Sequence, residues 1–442
     1  MLDLNNMVNS VKTYLSLNVI TVLLSIFFGY FLFNSQLIEP DYYVCSRIVE
    51  QTFQLFNEPI SFNFPYSCDE NEYFLGFKDF SFIIFNDHSY QQRPIYILIV
   101  FIFNEIFSPI YNFLGLDQKL GIYISIIFIH SIVLNLSLIL ILKIASLKQL
   151  KYYDLFFISL LNFLQPMAKW GIFGPSVQMF TLLQIVLPIY LVKNRNILDF
   201  RVSMLFGLMF MYNRASLVSY VIYVFFLYLK NKKFNLANFV KNIIIFSIPL
   251  SFYRLFFVIN NLKTFDTNTE TYQQFSWIID YFTGGNRKYG EYFCHRIPGF
   301  IKCYLEGTLN LFDYLLIPLL ISLLCLYFLF KNNKNLFYLI LIATLIVYLF
   351  WSLIGWYPMR FIYYSIGNAI NILLILGYFY MNSNFFSKFL YSLPVIIYFT
   401  YLTMWNNPDP SSYIENDILI TSFITILIYL IYKFKILKEK IY

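Results

Sequence analysis

The sequence predicts an all-α polytopic membrane protein of about twelve transmembrane helices, with a long first outer loop containing juxtamembrane helices. Three observations carry that prediction. The chain is 59% hydrophobic and only 12% charged, about half the charged share of an ordinary soluble domain. Apolar runs of about 20 residues recur along its length, each long enough as a helix to cross a hydrocarbon layer about 30 Å thick. Lys and Arg fall in short clusters between those runs, as topology determinants do.

The chain opens with a short polar N-terminus, Met1 to Thr13, whose only Lys is Lys12. The run Tyr14 to Asn34 is longer than a signal-peptide core and lacks a small-x-small cleavage site, so it reads as an uncleaved signal anchor. Further spans are expected at 121–143, 152–167, 176–192, 199–213, 215–230, 239–260, 310–330, 336–355, 361–381, 384–403 and 418–433.

The run 94–114 is also apolar, and whether it crosses decides the side of everything after it. If it does not cross, one side collects Lys143, Lys148, Lys151, Lys193, Arg195, Arg201, Lys230, Lys232, Lys233, Lys241, Lys331, Lys334 and Lys388. Lys12 and the C-terminal Lys433, Lys435, Lys438 and Lys440 join them, which makes 18 of the 31 basic residues. Crossing would move most of them outward, against the positive-inside rule. The run is therefore read as a half-inserted helix, and its Asn104, Glu105 and Pro109 fit that reading. Both termini are then cytoplasmic. One membrane domain spans 1–442, with an outer loop at 36–120 including the half-inserted helix, a second at 261–309, and a short one at 404–417.

The net charge of +7 belongs to this loop pattern. A basic stripe with interleaved aromatics on a soluble face is lacking, so nucleic acid is not an expected partner. Cys45, Cys68, Cys294 and Cys303 fall in the two long outer loops, an even count that fits either two disulfides or four thiols on an oxidising side. Cys325 lies in a span and reads as a packing residue.

Chemistry is expected where acids concentrate. Between Gln36 and Arg93 lie Glu39, Asp41, Glu50, Glu58, Asp69, Glu70, Glu72 and Asp79, with Asp87 at the far end. Asp41-Tyr42-Tyr43-Val-Cys-Ser-Arg47 closely follows the first span. Arg93-Pro94-Ile-Tyr96-Ile-Leu opens the half-inserted run, and Trp356-Tyr357-Pro358-Met359-Arg360-Phe361 precedes a late span.

In order and spacing these segments resemble a GT-C-type polytopic membrane glycosyltransferase that uses polyprenyl-phosphate-linked sugar donors. They resemble that family's acidic first-loop element with its aromatic pair and amphipathic helix, its "RPPLYY" juxtamembrane helix, and its late outer element whose Arg meets the donor phosphate. The resemblance covers the chain in outline. It implies transfer of a sugar to a lipid, glycan or protein acceptor on the non-cytoplasmic face, in a bacterial inner membrane. One departure is that Pro40 separates Glu39 from Asp41. Which acid acts, and whether a divalent metal is held, therefore stay open.

The residue chemistry stands beside the resemblance. Inverting transfer needs a carboxylate to accept the acceptor hydroxyl's proton, and Asp41, or Glu39, sits a few residues beyond a span. It also needs cations on the leaving phosphate. Lys169, Arg214, Arg254 and Arg360 lie at predicted outer span ends, and an Arg fork fits phosphate oxygens; snorkelling to lipid phosphates is the plainer use of such residues. Asp87, His88, Arg93, Tyr96 and Asp280 are candidate substrate contacts. For Asp87 and His88 a surface role is the simpler reading, and Gly284-Gly285 beside Asp280 makes a turn. His130, inside a span, is expected to hydrogen-bond to a neighbouring helix. Asp154 and Asp313 are expected to be solvated at the interface. Two rivals remain: an O-antigen-type polymerase, and a lipid-linked glycan flippase or transporter without chemistry, which would place charges near span midplanes.

Overall fold

A computed structural model of the chain describes residues 4–34, 47–55, 58–66, 68–86, 89–146, 150–165, 172, 180–195, 198–231, 235–264, 297–354, 362–381, 384–404, 425–426 and 428–429. It opens with a long apolar helix, α1 (Leu4–Asn34). α1 is tied to the interior by a buried polar cluster: Thr21 Oγ1 donates to Asn135 Oδ1, and Asn135 Nδ2 donates to Asn18 Oδ1.

The next described segment is an antiparallel two-stranded ribbon, β1 (Arg47–Leu55) and β2 (Glu58–Tyr66). Its register pairs Val49 with Phe64, Gln51 with Phe62 and Phe53 with Ile60. This corrects the amphipathic helix expected after Asp41, and it is the departure from an all-helical chain among the described residues. The cause is local. Ile60-Ser61-Phe62-Asn63-Phe64 alternates with period two, β1 is rich in β-branched and aromatic residues, and Pro59 and Pro65 disfavour a helix.

Two short helices follow, α2 (Cys68–Lys78) and α3 (Ser81–Phe85). α4 (Pro94–Phe113) begins with Pro at its first position, where the missing N–H costs nothing. Gly115, at φ +70°, lets the chain turn after it. α5 (Gln118–Ile144) then starts on Asp117, whose carboxylate accepts the Leu120 N–H at 2.7 Å.

α4 is long and apolar enough to cross a membrane. It packs antiparallel to α5: Tyr111 lies against Gly121 and bonds Ser125, Phe103 stacks on Phe128 at 4.8 Å, and Tyr96 bonds His130.

The middle of the chain is a set of shorter helices: α6 (Tyr152–Phe163), α7 (Phe180–Asn194), α8 (Phe200–Tyr212) and α9 (Ser216–Asn231). They hold 12 to 16 residues, about 18–24 Å at 1.5 Å per residue, against a hydrocarbon layer of about 30 Å. α10 (Leu236–Ile259) is longer. α11 (Ile297–Tyr314) and α12 (Leu316–Asn332) follow, with a 91° bend between Leu305–Phe312 and Leu316–Asn332. After α13 (Lys334–Ile354), a π-helical turn, Tyr363–Gly367, leads into α14 (Asn368–Tyr380), and α15 (Phe385–Met404) runs after it.

Among the described residues, α4, α5, α10 and α13 are each long and apolar enough to span, with a fifth span if the bent pair counts as one. These helices define a membrane-embedded, predominantly helical protein. α14 is buried at every position from Asn368 to Tyr378 and forms the centre. α10, by contrast, leaves Leu236, Ile244, Phe252, Val258 and Ile259 exposed, an apolar face suited to lipid. It meets α8 at close range through Gly207, where an added Cβ would lie 2.2 Å from the Phe246 carbonyl oxygen.

The basic clusters of the sequence meet at one end of the bundle. Lys193 Nζ donates to the Ile144 carbonyl at 2.7 Å, and Lys230 Nζ to the Val192 carbonyl at 2.8 Å. These lysines cap helix C-termini, where orphan carbonyls and the negative dipole end favour a cation. Asp154 lies at this end too, but not solvated as expected. It is 3% exposed, and Lys388 Nζ sits 2.6 Å from its Oδ1. Tyr378 donates to the same oxygen at 3.0 Å, while Oδ2 accepts the Lys151 N–H at 3.0 Å. The pair clamps α6, α14 and α15 together. The interfacial reading failed because Asp154 is the N3 residue of α6 and turns inward to close its first turn.

Two outcomes follow. Lys388→Met, leaving a buried carboxylate unpaired, is expected to cost about 3–5 kcal/mol, and adding Asp154→Leu to recover most of it; unfolding in detergent measures both. Gly207→Val is expected to cost about 1–3 kcal/mol by forcing α8 off α10, read as a lower unfolding midpoint beside an unchanged Leu208→Val control.

Candidate functional site

Of the residues singled out in the sequence, Arg93, Tyr96, Arg214 and Arg254 are described. Glu39, Asp41, Asp87, His88, Lys169, Asp280 and Arg360 lie outside the described residues, as do Cys45 and Cys294.

Arg93 occupies the N-cap position of α4. Its guanidinium donates to the Tyr73 hydroxyl and lies 6.0 Å from the centre of that ring. Tyr73 meets Tyr96 edge-on at 5.8 Å, and Phe77 meets Tyr96 at 5.5 Å. The contacts follow from the sequence: Tyr73 and Phe77 are four apart on one face of α2. Tyr96 lies one turn into α4, on the buried face with Ile97 and Val100.

Tyr96 is fully buried and bonds His130 Nε2 through its hydroxyl at 3.2 Å. His130 Nδ1 lies 3.3 Å from the Ile172 carbonyl oxygen. A carbonyl only accepts, so Nδ1 carries a proton; in the neutral ring Nε2 then accepts the Tyr96 O–H. This is the interhelical role expected of His130.

The Tyr212 ring closes the cluster, 5.3 Å from Tyr96 and 5.4 Å from Phe180. Two residues on, Arg214 stands half-buried in the turn between α8 and α9. Asn213 holds that turn by accepting the Ala215 N–H at 3.0 Å. Arg254 is placed by register. α8 and α10 run parallel, with Ser203 bonded to Asn242 and Gly207 against Phe246. Carried on about two turns, that register sets Arg254 level with Arg214, one helix further out. Arg93, Arg214 and Arg254 therefore share the end of the bundle opposite the lysine-capped end.

Outside the helix ends, hydrogen bonds from Ser81 hold the Asp79 carboxyl below the usual carboxylate range. Among the described residues, no three His, Cys, Asp or Glu side chains converge as a metal-binding group.

Sequence reasoning passed over Tyr73, Tyr212 and a set of buried amides on α6, α7 and α14. Tyr73 carried a usable signal, an aromatic pair four residues apart just before Arg93-Pro94. The amides carried none, because single Asn and Gln residues in apolar runs are common here.

The architecture defines the class: a membrane-embedded helical protein with an arginine and aromatic site at one end. Comparison with family models, with curated proteins and with solved structures returns no match for the chain.

The Tyr96–His130 contact generates a direct expectation. Tyr96→Phe removes one buried hydrogen bond and is expected to lower stability by about 1 kcal/mol. It should leave the ring packing on Tyr73 and Tyr212 in place, seen as an unchanged near-ultraviolet dichroism spectrum.

Proposed function

We propose that the chain is an integral-membrane glycosyltransferase that moves a sugar from a polyprenyl-phosphate donor to a lipid, glycan or protein hydroxyl. The observation that carries this reading is the gathering of Arg93, Arg214 and Arg254 at the end opposite the lysine-capped one. By the positive-inside rule the lysine end faces the cytoplasm and the arginine end faces outward. Arginines that defy the rule suit a phosphate-bearing substrate, because a guanidinium fork binds two phosphate oxygens at once. The family resemblance of the 41–47, 93–98 and 356–361 segments supports the same reading, of which an arrangement of about twelve spans is a part.

In this mechanism Asp41, or Glu39, accepts the proton of the acceptor hydroxyl. The freed oxygen attacks the anomeric carbon from the face opposite the phosphate, the bond from that carbon to the phosphate oxygen breaks, and the configuration inverts. The polyprenyl phosphate leaves with the bonding electron pair, its charge held by Arg360 and Arg214, with Lys169 and Arg254 alongside. Arg93, Asp87, His88 and Asp280 border the acceptor and sugar, and the buried Tyr96 ring supports Arg93 through Tyr73. A divalent metal at Glu39 and Asp41 is an optional addition to this scheme.

A second reading, a lipid-linked glycan flippase without chemistry, draws on the buried Asp154–Lys388 pair and the interior amides. One experiment separates the two. Purified protein in nanodiscs is given radiolabelled polyprenyl-phosphate hexoses and pentoses, and donor binding and slow hydrolysis are scored. Arg214→Ala and Arg360→Ala are each expected to weaken binding about 10- to 100-fold, the loss of one charge-assisted hydrogen bond. Asp41→Asn is expected to keep binding and lose turnover. Translocation of a lipid-linked oligosaccharide with no donor turnover overturns the proposal in favour of the flippase.

A further inference from the structure

The interface of α6, α7 and α14 holds an amide cluster whose hydrogen bonding is incomplete. Asn371 Nδ2 donates to Asn162 Oδ1 at 2.8 Å, Gln165 Nε2 to the same oxygen at 3.4 Å, and Asn368 Nδ2 to Thr181 Oγ1 at 3.0 Å. α7 and α14 leave the same end of the bundle, and Gln184 and Asn371 stand three residues on from Thr181 and Asn368, one turn further in. Among the described residues, Asn162 Nδ2, Gln165 Oε1, Asn371 Oδ1 and both amide atoms of Gln184 have no hydrogen-bond partner. The four side chains are 1%, 2%, 1% and 0% exposed in that order. Three of these atoms lie on side chains gathered at Asn162 Oδ1, and leaving them and the Gln184 amide dry would be a costly arrangement.

The chemistry of the cluster selects its ligand. Both amide donors and amide acceptors are unsatisfied, and none of these groups is charged. A phosphate or carboxylate would require cations here. A bare cation would meet the interspersed NH2 groups. Neutral hydroxyl groups, which donate and accept at one atom, complement the set.

Position gives the entrance. Thr181 and Asn368 lie in the first turns of α7 and α14. Phe180 beside Thr181 touches Tyr212, so the amides lie next to the arginine and aromatic site. The π-helical turn Tyr363–Gly367 leads directly into Asn368, and such turns loosen the regular backbone pairing and recur at functional sites.

We propose that the α6–α7–α14 cleft is a hydrated site that takes neutral hydroxyl groups, entered from the Arg93–Arg214 end. The hydroxyls come from water or from the sugar ring of the lipid-linked donor. Only the second source rests on the glycosyltransferase reading; the site itself does not.

Cysteine accessibility tests it. Gln184→Cys and Asn371→Cys are compared with Ile372→Cys, which faces an apolar seam with Ile141 and Val186. The full chain in nanodiscs is treated with the neutral hydrophilic reagent hydroxyethyl methanethiosulfonate and adducts are counted by mass. The wild-type chain, with its 5 native cysteines, sets the background. Modification at 184 and 371 is expected to be about tenfold faster than at 372, the gain in thiolate for each unit by which hydration lowers a thiol pKa. Equal, slow rates at all three positions overturn the proposal. Gln165→Cys supplies the same reading if one variant does not fold, as judged by gel filtration.

Added free hexose or polyprenyl-phosphate hexose that slows labelling identifies the sugar as the source. Fast labelling indifferent to both identifies water and leaves the site standing, while removing this support from the glycosyltransferase reading. Slowing by sodium or potassium but by neither sugar makes it a cation site and overturns the proposal.

Discussion

A polar group inside this helix bundle has no bulk water to turn to, and most of the architecture follows from how each such group finds a partner. Asp154 is the case on which the core depends. One of its oxygens accepts the Lys151 N–H and closes the first turn of α6. The other accepts Lys388 from α15 and Tyr378 from α14. α6 is thereby held in register with α14 and α15, more than two hundred residues further along the chain. Such a pair adds little net stability against an apolar replacement, because both charges lose their hydration. What it supplies is specificity: any slip of α14 or α15 strands a charge in a low-dielectric interior.

The two ends of the bundle solve a related problem differently. At one end lysines reach over helix C-termini and satisfy carbonyls that the helices cannot. Lys suits that task as a compact point charge on a long apolar stem. At the other end Arg93 lies against Tyr73, whose ring packs on Tyr96, and Tyr96 in turn on Tyr212. A planar guanidinium packs on such rings and keeps a fork of N–H donors.

The helices were legible because their signal is local and repeated. The runs expected at 121–143, 199–213 and 215–230 appear as Gln118–Ile144, Phe200–Tyr212 and Ser216–Asn231. The lysine clusters were legible for the same reason, and so was the interhelical role of His130. The ribbon at 47–66 was misread because the family resemblance suggested a helix where β-branched residues, period-two alternation and prolines favoured strands. The Asp154–Lys388 pair was not legible at all: its partners lie 234 residues apart, and each alone looks like an ordinary residue at a helix end.

Whether the molecule works from one face or through its whole thickness turns on what separates its two buried polar groups. α6 and α14 run antiparallel, with Asn162 facing Asn371 toward one end and Asp154 facing Tyr378 toward the other. That register sets Ile158 opposite Ile375 between the two polar groups, and both isoleucines are fully buried, as is Leu374. Only the Ser159 hydroxyl, itself buried and unpartnered, interrupts this layer. A carrier needs a route by which polar cargo passes from one end to the other, and a packed isoleucine and leucine layer blocks such a route along this seam. Along this seam an apolar floor separates the Asn162–Asn371 amides from the Asp154–Lys388 pair.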